Sequence, residues 1–500
     1  MGGIFWVVIA MLVGFLILLV LEKGLLVSAT KAMSWPPGPP KIPIFGNLHQ
    51  LHKGGRLVHH TLANMTKEYG SIMTVWFGRT PTIVISDHHA AWEVLVTRAS
   101  DYASRTLPYK ARITSAGWHT LATCDFGSYW YSLRKGVLST ALSPVTVSAQ
   151  MHLQVNDVIA VVRSIEAEAS ANNGVVNPLI HLRRCTIRLI ARLCFGSDFS
   201  NDKFIQEMDC VTEDCILQTS HTRLADIFPL LRYIPGLRQP FQEVYQVKCR
   251  IENLIRPLII QYQSSESPNP NCYLQFLLSQ DMEEEVVIFN IFEMFLLAVD
   301  STSLATAWAL GFLIHYPLVQ DKLYKEVIED SLKGTIGIEK ASKMKYLHAV
   351  VKESTRMRPI APLAVPHKAV KDSTLMGRRI EQGTSVTLNL YAVLHDPKVW
   401  IEPHKFNPDR FLISRGEEDE DNEGAMKGME RSFLPFGAGR RVCPGMELAK
   451  IHVALILANL VKSFEWLSAV EGQLPDLTED LTFILRMKTP LSAKIVPRCT

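Results

Sequence analysis

The first long apolar segment of the chain lies at its N-terminus. Residues Ile4–Leu21 form an unbroken apolar run of 18 residues. A helix of that length is just long enough to cross the hydrocarbon core of a bilayer. A cleaved signal peptide is the alternative, because Val27–Ala29 has the small residues of a cleavage site. The run exceeds a usual signal-peptide core and no basic residue precedes it, so we predict a transmembrane anchor over residues 1–24.

The lysines and prolines that follow this run predict how the rest of the chain is oriented and attached. Lys23, Lys31 and Lys41 follow the apolar run, whereas nothing positive precedes it. The positive-inside bias then places the downstream chain in the cytosol and the N-terminus in the lumen. The proline-rich segment Trp35–Pro43 has fixed φ angles and few backbone donors, which is typical of a stiff, extended connector. We predict this connector over residues 25–50.

Alternating apolar and polar positions predict two pairs of β-strands. The β-branched runs Ile72–Phe77 and Thr82–Ser86 are separated by a glycine and a proline, which is typical of a hairpin. A second strand pair is predicted around Thr374–Ile380 and Ser385–Leu390. Both pairs are small against the length of the chain.

Helical periodicity dominates the remaining sequence. The longest periodic stretch extends from Glu283 to His315 and ends at Pro317, which gives a helix of about 50 Å at 1.5 Å per residue. A helix of that length crosses a whole domain. The sequence therefore predicts a mainly α fold with small β-sheets. Further predicted helices are His88–Thr97, Val155–Ala169, Leu318–Ser331 and Lys345–Met357.

Composition and charge narrow the class of protein. Hydrophobic residues make up 47% of the chain and charged residues 20%, which supports a large buried core. No long linker divides the chain after the N-terminal segments, so we predict one large domain over residues 51–500. A net charge of +3, without basic blocks that contain aromatic residues, argues against a nucleic-acid partner. Nine cysteines without a CxxC pair fit a reducing compartment.

The segment Phe436–Gly445 carries the strongest chemical signal in the sequence. Its glycines Gly437 and Gly439 let the backbone turn tightly and approach a flat ligand. Cys443 precedes an apolar helix predicted over Met446–Val461. Unpaired N–H groups and the helix dipole at such an N-terminus favour a thiolate, which is a ligand for iron.

Two neighbours of Cys443 extend this interpretation. Arg441 can reach a carboxylate of the same flat ligand, and Phe436 can shield the sulfur from water. The alternative is an ordinary buried cysteine in a glycine-containing loop. At about 5% usage per residue, five fixed positions in this pattern arise by chance in such a chain with a probability of roughly 10⁻⁴. The alternative is therefore disfavoured.

With Phe, Gly, Arg, Cys and Gly at these spacings, the segment resembles the haem loop of the cytochrome P-450 superfamily. The resemblance covers essentially the full chain. Glu353 and Arg356 match the E-x-x-R pair of the family, one helical turn apart. The segment Phe406–Phe411 looks like the family's meander segment, which supplies Arg410 to that pair.

The same resemblance implies haem b as the cofactor, with Cys443 as its metal ligand and a cytochrome P-450 fold around it. Trp130 and Arg134 match a W-x-x-x-R pattern that binds one haem propionate. His367, after Pro366, resembles the second propionate partner in plant members. Haem-binding roles are implied for Cys443, Trp130, Arg134, His367, Phe436, Gly437 and Arg441.

The long helix carries a variant of the family's oxygen-activating motif, (Ala/Gly)-Gly-x-(Asp/Glu)-Thr-(Thr/Ser). Ala298 replaces the usual glycine and Ser301 the usual threonine. Ser301 keeps a hydroxyl for proton delivery, with Asp300 linking it to solvent and Thr302 completing the catalytic set. Local bonding of the Ser301 hydroxyl to a carbonyl one turn earlier is the alternative reading.

These substitutions, with the proline-rich start and the Met487–Leu491 ending, resemble one plant subfamily that forms methylenedioxy bridges. Canadine, stylopine and cheilanthifoline synthases are of this type, as are relatives in lignan and piperic-acid pathways. The resemblance implies oxidation of an aromatic O-methyl carbon and its capture by the neighbouring phenol oxygen, with O₂ and electrons from NADPH through a reductase. Substrate contacts are expected from Leu297, Ala298, Ala364, Val365 and Ile484.

The partners implied are an NADPH-cytochrome reductase, the endoplasmic reticulum membrane and a small aromatic substrate. Lys135, Arg440 and Lys450 could meet an acidic reductase surface. A generic plant hydroxylase or O-demethylase would share every motif. A reductase-independent isomerase or a non-catalytic haem sensor would not need the polar set Asp300–Thr302. Whether the substrate is an alkaloid, a lignan or a phenylpropanoid acid stays open.

Overall fold

The protein is described here by a computed structural model. It describes Gly14 and residues 35–498, apart from gaps at 52–54, 198, 221–223, 229–230, 232, 234, 267–270, 331–333 and 413–427. With the exception of Gly14, the predicted anchor over residues 1–24 lies outside the described residues, as does the first part of the connector.

Helices account for most of the described chain. They are α1 Leu48–Leu51, α2 Val58–Tyr69, α3 His88–Trp92, α4 Tyr109–Ile113, α5 Ser128–Ser139, α6 Pro144–Ala149, α7 Met151–Ala171, α8 Pro178–Phe195, α9 Asp202–Ser220, α10 Leu224–Ile227, α11 Pro235–Gln263, α12 Tyr273–Leu278, α13 Glu284–His315, α14 Pro317–Asp330, α15 Ile338–Ala341, α16 Lys345–Met357, α17 Leu390–Leu394 and α18 Met446–Ser463. A π-turn over Glu93–Thr97 continues α3, and short 3₁₀ turns cover Ala99–Asp101, Pro408–Phe411 and Gly439–Arg441.

The strands form four small sheets. They are β1 Ile72–Phe77, β2 Thr80–Ile85, β3 Ser104–Arg105, β4 Val175–Val176, β5 His367–Lys368, β6 Ser373–Leu375, β7 Arg378–Ile380, β8 Ser385–Leu388, β9 Phe464–Ser468, β10 Glu479–Leu481, β11 Leu485–Met487 and β12 Ala493–Pro497. The largest sheet has the order β1-β2-β8-β5-β3, and a three-stranded sheet has the order β4-β12-β9. The pairs β6-β7 and β10-β11 stand alone. The mainly α fold with small sheets is therefore confirmed.

The long helix α13 runs through the centre of the protein. It is apolar on most of its faces, and it packs against α8, α11, α16 and α18. Trp308 and Leu313 are fully buried in the core that α13 shares with α18. Within the described part of the chain, α13 is the one helix long and apolar enough to cross a membrane, but most of it is buried inside the protein. A helix that is hydrophobic all round and enclosed by other helices is a core helix.

The second predicted strand pair is wrong in its pairing. Thr374–Ile380 does not pair with Ser385–Leu390; the first segment folds back on itself, and β6 pairs with β7. Met376 and Gly377 both have positive φ values, 46° and 76°, which allow a tight two-residue turn. Strand β8 instead pairs with β2 in parallel and with β5 in antiparallel orientation. The hairpin of β1 and β2 is confirmed.

Candidate active site

The predicted site residues come together around one cavity of about 370 Å³. It lies between the middle of α13 and the loop that precedes α18. Residues 360–367 and the turn between β10 and β11 close its other sides. Leu485 N donates to Ile360 O over 2.8 Å, which ties the β10–β11 turn to the segment that leads to His367.

The loop before α18 is shaped by its two glycines. Gly437 and Gly439 have φ values of +69° and +67°. A Cβ atom on Gly439 would lie 1.7 Å from Leu95 O, so no larger residue fits there without moving the backbone. The Cys443 N–H donates to Phe436 O over 3.0 Å. This closed loop holds the Cys443 thiol in the wall of the cavity.

The acidity of Cys443 differs from the expectation. The sequence favoured a thiolate at the start of the following helix, but burial raises the pKa of the Cys443 thiol above its usual value. The Gly445 amide and the Arg134 charge act in the opposite direction and do not outweigh burial. Because a metal ion deprotonates a coordinating thiol outright, the metal itself has to supply most of the bias towards thiolate.

Two arginines that line the cavity, Arg441 of this loop and Arg134 of α5, bind the loop to the rest of the protein. Arg441 donates to the carbonyls of Ala103, Leu121 and Cys124 over 2.7, 3.1 and 2.6 Å. Arg134 Nη1 donates to Val442 O over 2.7 Å. The Arg441 guanidinium also lies 4.8 Å from the centre of the buried Trp130 ring. A guanidinium has five donors, so both arginines keep some for a second acceptor.

His367 and Arg105 lie side by side on adjacent strands of the largest sheet, and both face the cavity. His367 Nδ1 lies 2.7 Å from Tyr102 O. Burial, followed by the nearby Arg105 charge, lowers the pKa of His367 to about 3. In the neutral form, Nδ1–H donates to that carbonyl and leaves Nε2 as an acceptor. His367 can therefore donate to a carboxylate only when doubly protonated, a state that a carboxylate in contact would itself stabilise.

This donor set fits a haem group. Cys443 offers a sulfur for the iron. The side chains that would bind the two propionate carboxylates also line the cavity: Arg105, Arg134, Arg441 and His367. Arg105 is the most direct indication of such a ligand, because its Nε is buried without a hydrogen-bond partner among the described residues. Burial, followed by the Arg441 charge, lowers the pKa of Arg105 to about 9, and a nearby carboxylate would reverse that shift.

The middle of α13 presents the variant oxygen motif to the cavity. Ser301 and Thr302 both line it, one turn after Leu297 and Ala298. Ser301 Oγ donates to Leu297 O over 2.7 Å, which is the local bond that the alternative reading described. Its lone pairs remain available on the cavity side.

Asp300 does not line the cavity, unlike every other predicted site residue. Its carboxylate forms an ion pair with Arg183 of α8, and both side chains are largely buried. Arg183 Nε also contacts Asp209 of α9 over 2.5 Å. The expected link from the Ser301 hydroxyl through Asp300 to solvent is therefore not formed in this arrangement, because Arg183 holds the carboxylate on the other side of the helix.

Behind the cavity, the E-x-x-R pair is fully buried. Arg356 donates to Glu353 from Nε and Nη2, over 2.7 and 2.9 Å. Arg410 Nε donates to the same carboxylate over 3.1 Å. The predicted contribution of Arg410 to this pair is confirmed. The three side chains join α16 to the segment that leads towards the Cys443 loop.

The predicted substrate contacts all line the cavity: Leu297, Ala298, Ala364, Val365 and Ile484. Ala364 has a φ of +51°, a left-handed conformation that is uncommon for a residue with a side chain. Its amide donates to Ala361 O over 2.9 Å, so a tight turn places its methyl group at the cavity wall. These walls are mainly apolar.

Among the charged residues that face the cavity, sequence reasoning missed Arg105, Glu293 and Lys352. Arg105 belongs to no motif, and only the pairing of β3 with β5 brings it beside His367. Glu293 did leave a signal, because it is the only charged residue between Glu285 and Asp300 on an otherwise apolar helix. A lone charge on the buried face of a core helix calls for a structural or functional partner.

Comparisons with known proteins agree with this site. The sequence model of the cytochrome P450 family matches residues 36–495 of this chain. The chain is 47% identical over 478 residues to (S)-canadine synthase of Coptis japonica, which covers 94% of each chain. It is 47% identical to a trifunctional (S)-stylopine, (S)-nandinine and (S)-canadine synthase of Argemone mexicana, over 93% of this chain and 91% of that one. Pluviatolide synthase of Podophyllum peltatum is 45% identical, over 94% of each chain.

A solved structure shares the fold. A zebra fish cytochrome P450 determined with progesterone superposes with a TM-score of 0.73 at 25% identity, over 88% of this chain and 99% of that one. The fold, the Cys443 loop and the arginines that line the cavity together define a haem-thiolate monooxygenase. The chain belongs to the cytochrome P450 family. As in that family, its cofactor is haem, and the electrons come from NADPH through a reductase.

Proposed function

We propose that this monooxygenase closes a methylenedioxy bridge on an ortho-methoxyphenol ring of a plant specialised metabolite. The observation that carries the proposal is the likeness to canadine, stylopine and pluviatolide synthases over more than nine-tenths of the chain. Ala298 and Ser301, the residues in which this sequence departs from the common oxygen motif, both face the cavity.

The proposed reaction balances with one O₂ and one NADPH. One hydrogen leaves the O-methyl carbon, one leaves the phenol oxygen, and a new bond joins that carbon to that oxygen. Two electrons and a proton from the NADPH side and one proton from solvent complete the reduction of O₂ to two waters. Bound haem supplies the oxygen activation, and the protein supplies position and surroundings.

Water exclusion is the first task of this chain's own residues. If water captures the oxidised methyl carbon, formaldehyde is lost and the product is a catechol. If the phenol oxygen is held against that carbon, the ring closes. The apolar walls formed by Leu297 and Ala298 of α13, and by Ala364, Val365 and Ile484 of the segments that close the other sides, favour the second outcome, because they exclude water.

Proton delivery is the second task, and Ser301 is the residue placed for it. After exchanging its bond to Leu297 O, its hydroxyl can donate a proton to the cavity side, and Oγ can then accept a replacement proton. Asp300 can join this route when its ion pair with Arg183 opens. We therefore assign Ser301 as the direct proton carrier, Asp300 as its supply and Thr302 as the neighbouring hydroxyl.

Product masses test the proposal directly. Reductase-coupled membranes containing this protein are incubated with NADPH and an ortho-methoxyphenol from each class: an alkaloid, a lignan and a phenylpropanoid acid. At least one should give a product lighter by two hydrogens, and membranes with the Cys443→Ala variant should give none. A product lighter by one CH₂, or heavier by one oxygen, with every substrate would replace bridge formation by demethylation or hydroxylation.

We also propose that residues 1–24 form a single-pass anchor in the endoplasmic reticulum membrane. Residues 25–50 would connect it to a haem-thiolate domain over residues 51–500 in the cytosol. The apolar run and the lysines that follow it support this topology. On the Cys443 side, the exposed Lys135 and Arg440 offer positive charge to a reductase, whereas Lys450 is paired with Glu447.

A further inference from the structure

Glu293 is a carboxylate on the substrate side of the cavity that the proposed reaction does not use. It lies on α13 four residues before Leu297 and eight before Ser301, so the three side chains follow one face of the helix. All three line the cavity. At 1.5 Å per residue, Glu293 stands about 12 Å from Ser301 along the axis. A polycyclic substrate with its reacting methyl group near Ser301 can extend to Glu293.

Hydrogen bonds fix the Glu293 carboxylate without neutralising it. Ala122 N donates to Glu293 Oε2 over 3.0 Å, and the Leu121 amide and the Thr120 side chain also contact the carboxylate. Within the described part of the chain, no Lys, Arg or His nitrogen forms an ion pair with Glu293. The positive charge that favours its ionised form is that of Arg441, which already donates to three backbone carbonyls.

Bound haem makes this lack of a cation more pronounced. Its two propionate carboxylates would take up the positive charge of Arg105, Arg134 and Arg441. Glu293 would then lie in a mainly apolar space with no cation of its own, where its carboxyl ionises fully only beside a positive charge. Burial already raises the pKa of Glu293 to about 7. Charge in such a place is costly unless it is paired, so a cationic group of a ligand gains a strong partner.

We propose, resting on the proposed function above, that Glu293 is a specificity-determining residue that selects ortho-methoxyphenols carrying a protonated amine. An ammonium group at the far end of the substrate pairs with Glu293 while the methoxyphenol ring lies near Ser301. A neutral lignan-type ring system leaves the carboxylate unpaired, and a phenylpropanoid carboxylate faces a like charge. The substrate class is therefore an alkaloid.

The test uses the haem-loaded enzyme and a ring-matched pair of ligands. One is a benzyl-tetrahydroisoquinoline with an ortho-methoxyphenol ring and a secondary amine, and the other is its neutral N-acetyl derivative. Dissociation constants come from the shift of the haem absorption band on binding. Wild type should bind the amine about 10- to 100-fold more tightly than the N-acetyl ligand, as expected for a charged hydrogen bond.

Glu293→Gln keeps an acceptor for Ala122 N and removes the charge. It should erase this preference by weakening amine binding about 10- to 100-fold while leaving the N-acetyl ligand nearly unchanged. The control is Glu284→Gln, which removes the same charge at the exposed start of α13 and should alter neither constant. If Glu293 serves only to hold residues 120–122, Glu293→Gln weakens both ligands equally, and the proposal is wrong.

Wild type alone can also overturn the proposal, even if the variant does not fold. Equal affinity for the amine and its N-acetyl derivative, or tighter binding of a phenylpropanoid acid, excludes the assigned role. Product analysis keeps the two proposals apart. Amine selection with a catechol as the product contradicts bridge formation only, whereas ring closure without amine selection contradicts the role of Glu293 only.

Discussion

Cys443 is the only residue with a thiol among the described residues that line the cavity. Because burial raises the pKa of this thiol, its conversion to a thiolate depends on the metal it binds. We expect Cys443→Ala to abolish the carbon monoxide difference band from which the family takes its name. The measurement is the reduced-minus-oxidised spectrum under carbon monoxide, on membranes with equal amounts of protein.

Cys185→Ala is the matched control for this variant. Cys185 is also buried, on α8, and its sulfur lies 3.8 Å from His452 Nε2, but it does not line the cavity. This variant should keep the band. A normal band in Cys443→Ala would remove the thiolate assignment, and with it the interpretation of the whole site.

Ser301 allows a prediction about proton delivery. Ser301→Ala removes the one hydroxyl on this turn that contacts both Leu297 O and the cavity. Turnover should fall about 10²-fold, at the lower end of the range for general acid–base groups, because the hydroxyl is partly committed to the backbone. Electrons that still reach the site should reduce O₂ to hydrogen peroxide without forming product. The measurements are NADPH consumption, peroxide and product in the same incubation.

Ala298→Gly is the companion variant, since it changes the shape of the cavity and leaves the Ser301 hydroxyl in place. It should keep NADPH consumption and raise the share of catechol, because a lost methyl group loosens the hold on the reacting ring. Normal coupling in Ser301→Ala, or an unchanged product ratio in Ala298→Gly, would contradict the roles assigned to these residues.

At the scale of elements, the β10–β11 hairpin carries Ile484 into the cavity and is held at its base by Glu479. His59 and His60 of α2 contact Glu479 Oε2 over 3.0 and 2.7 Å, and Arg358 contacts Oε1 over 3.0 Å. Burial alone would raise the pKa of Glu479, but these partners together hold it well below its usual range. The ionised carboxylate is therefore the form that stabilises the fold.

We expect Glu479→Gln to lower the free energy of unfolding by about 3 kcal/mol at pH 7, because it leaves Arg358 and two histidines without their anion. A carboxyl with a depressed pKa contributes stability above its unfolded pKa of about 4.3, and that contribution is lost as pH falls below this value. The gap between wild type and variant in denaturant unfolding should thus narrow below about pH 4.

Asp480→Asn is the control on the same hairpin. Asp480 pairs with Arg486 at the surface, with both side chains more than a third exposed, and such pairs contribute little. Equal losses in the two variants, or a gap that widens at low pH, would show that the Glu479 cluster does not hold the hairpin.

The secondary-structure elements also show how much of the fold and of the site could be predicted from the sequence. The helices and the E-x-x-R contact followed from periodicity and motif spacing, since both depend on residues close in sequence. The pairing of β6 with β7 did not, because it depends on two positive φ values at Met376 and Gly377. Arg105 and the Arg183 partner of Asp300 were out of reach for a similar reason, as tertiary packing alone brings those side chains to the site.

For the whole molecule, the connector is the segment that would join the domain to the proposed membrane anchor. Its described part is fixed to β1: Thr74 Oγ1 donates to Pro36 O over 2.7 Å, and Thr74 N donates to Pro37 O over 2.9 Å. The Trp35 and Trp76 rings lie 6.2 Å apart. Because the connector is bound in this way, the position of an anchor would fix how the domain is oriented at the membrane. The orientation of the anchor would also decide on which side of the membrane the domain and its cavity lie.

The sequon Asn64-Met65-Thr66 makes this topology measurable. Asn64 is exposed on α2, so a glycan could be accommodated there if the domain were translocated into the lumen. With lysines following the apolar run, we expect the domain to remain in the cytosol and Asn64 to carry no glycan. The measurement is the mass of the protein from microsomes before and after glycosidase treatment.

The control is a chain with a sequon placed in an extension before Met1, which should be glycosylated in the same membranes. A glycan on Asn64, or none on the extension, would show that the anchor has the opposite orientation, because the two sequons lie on opposite sides of residues 1–24.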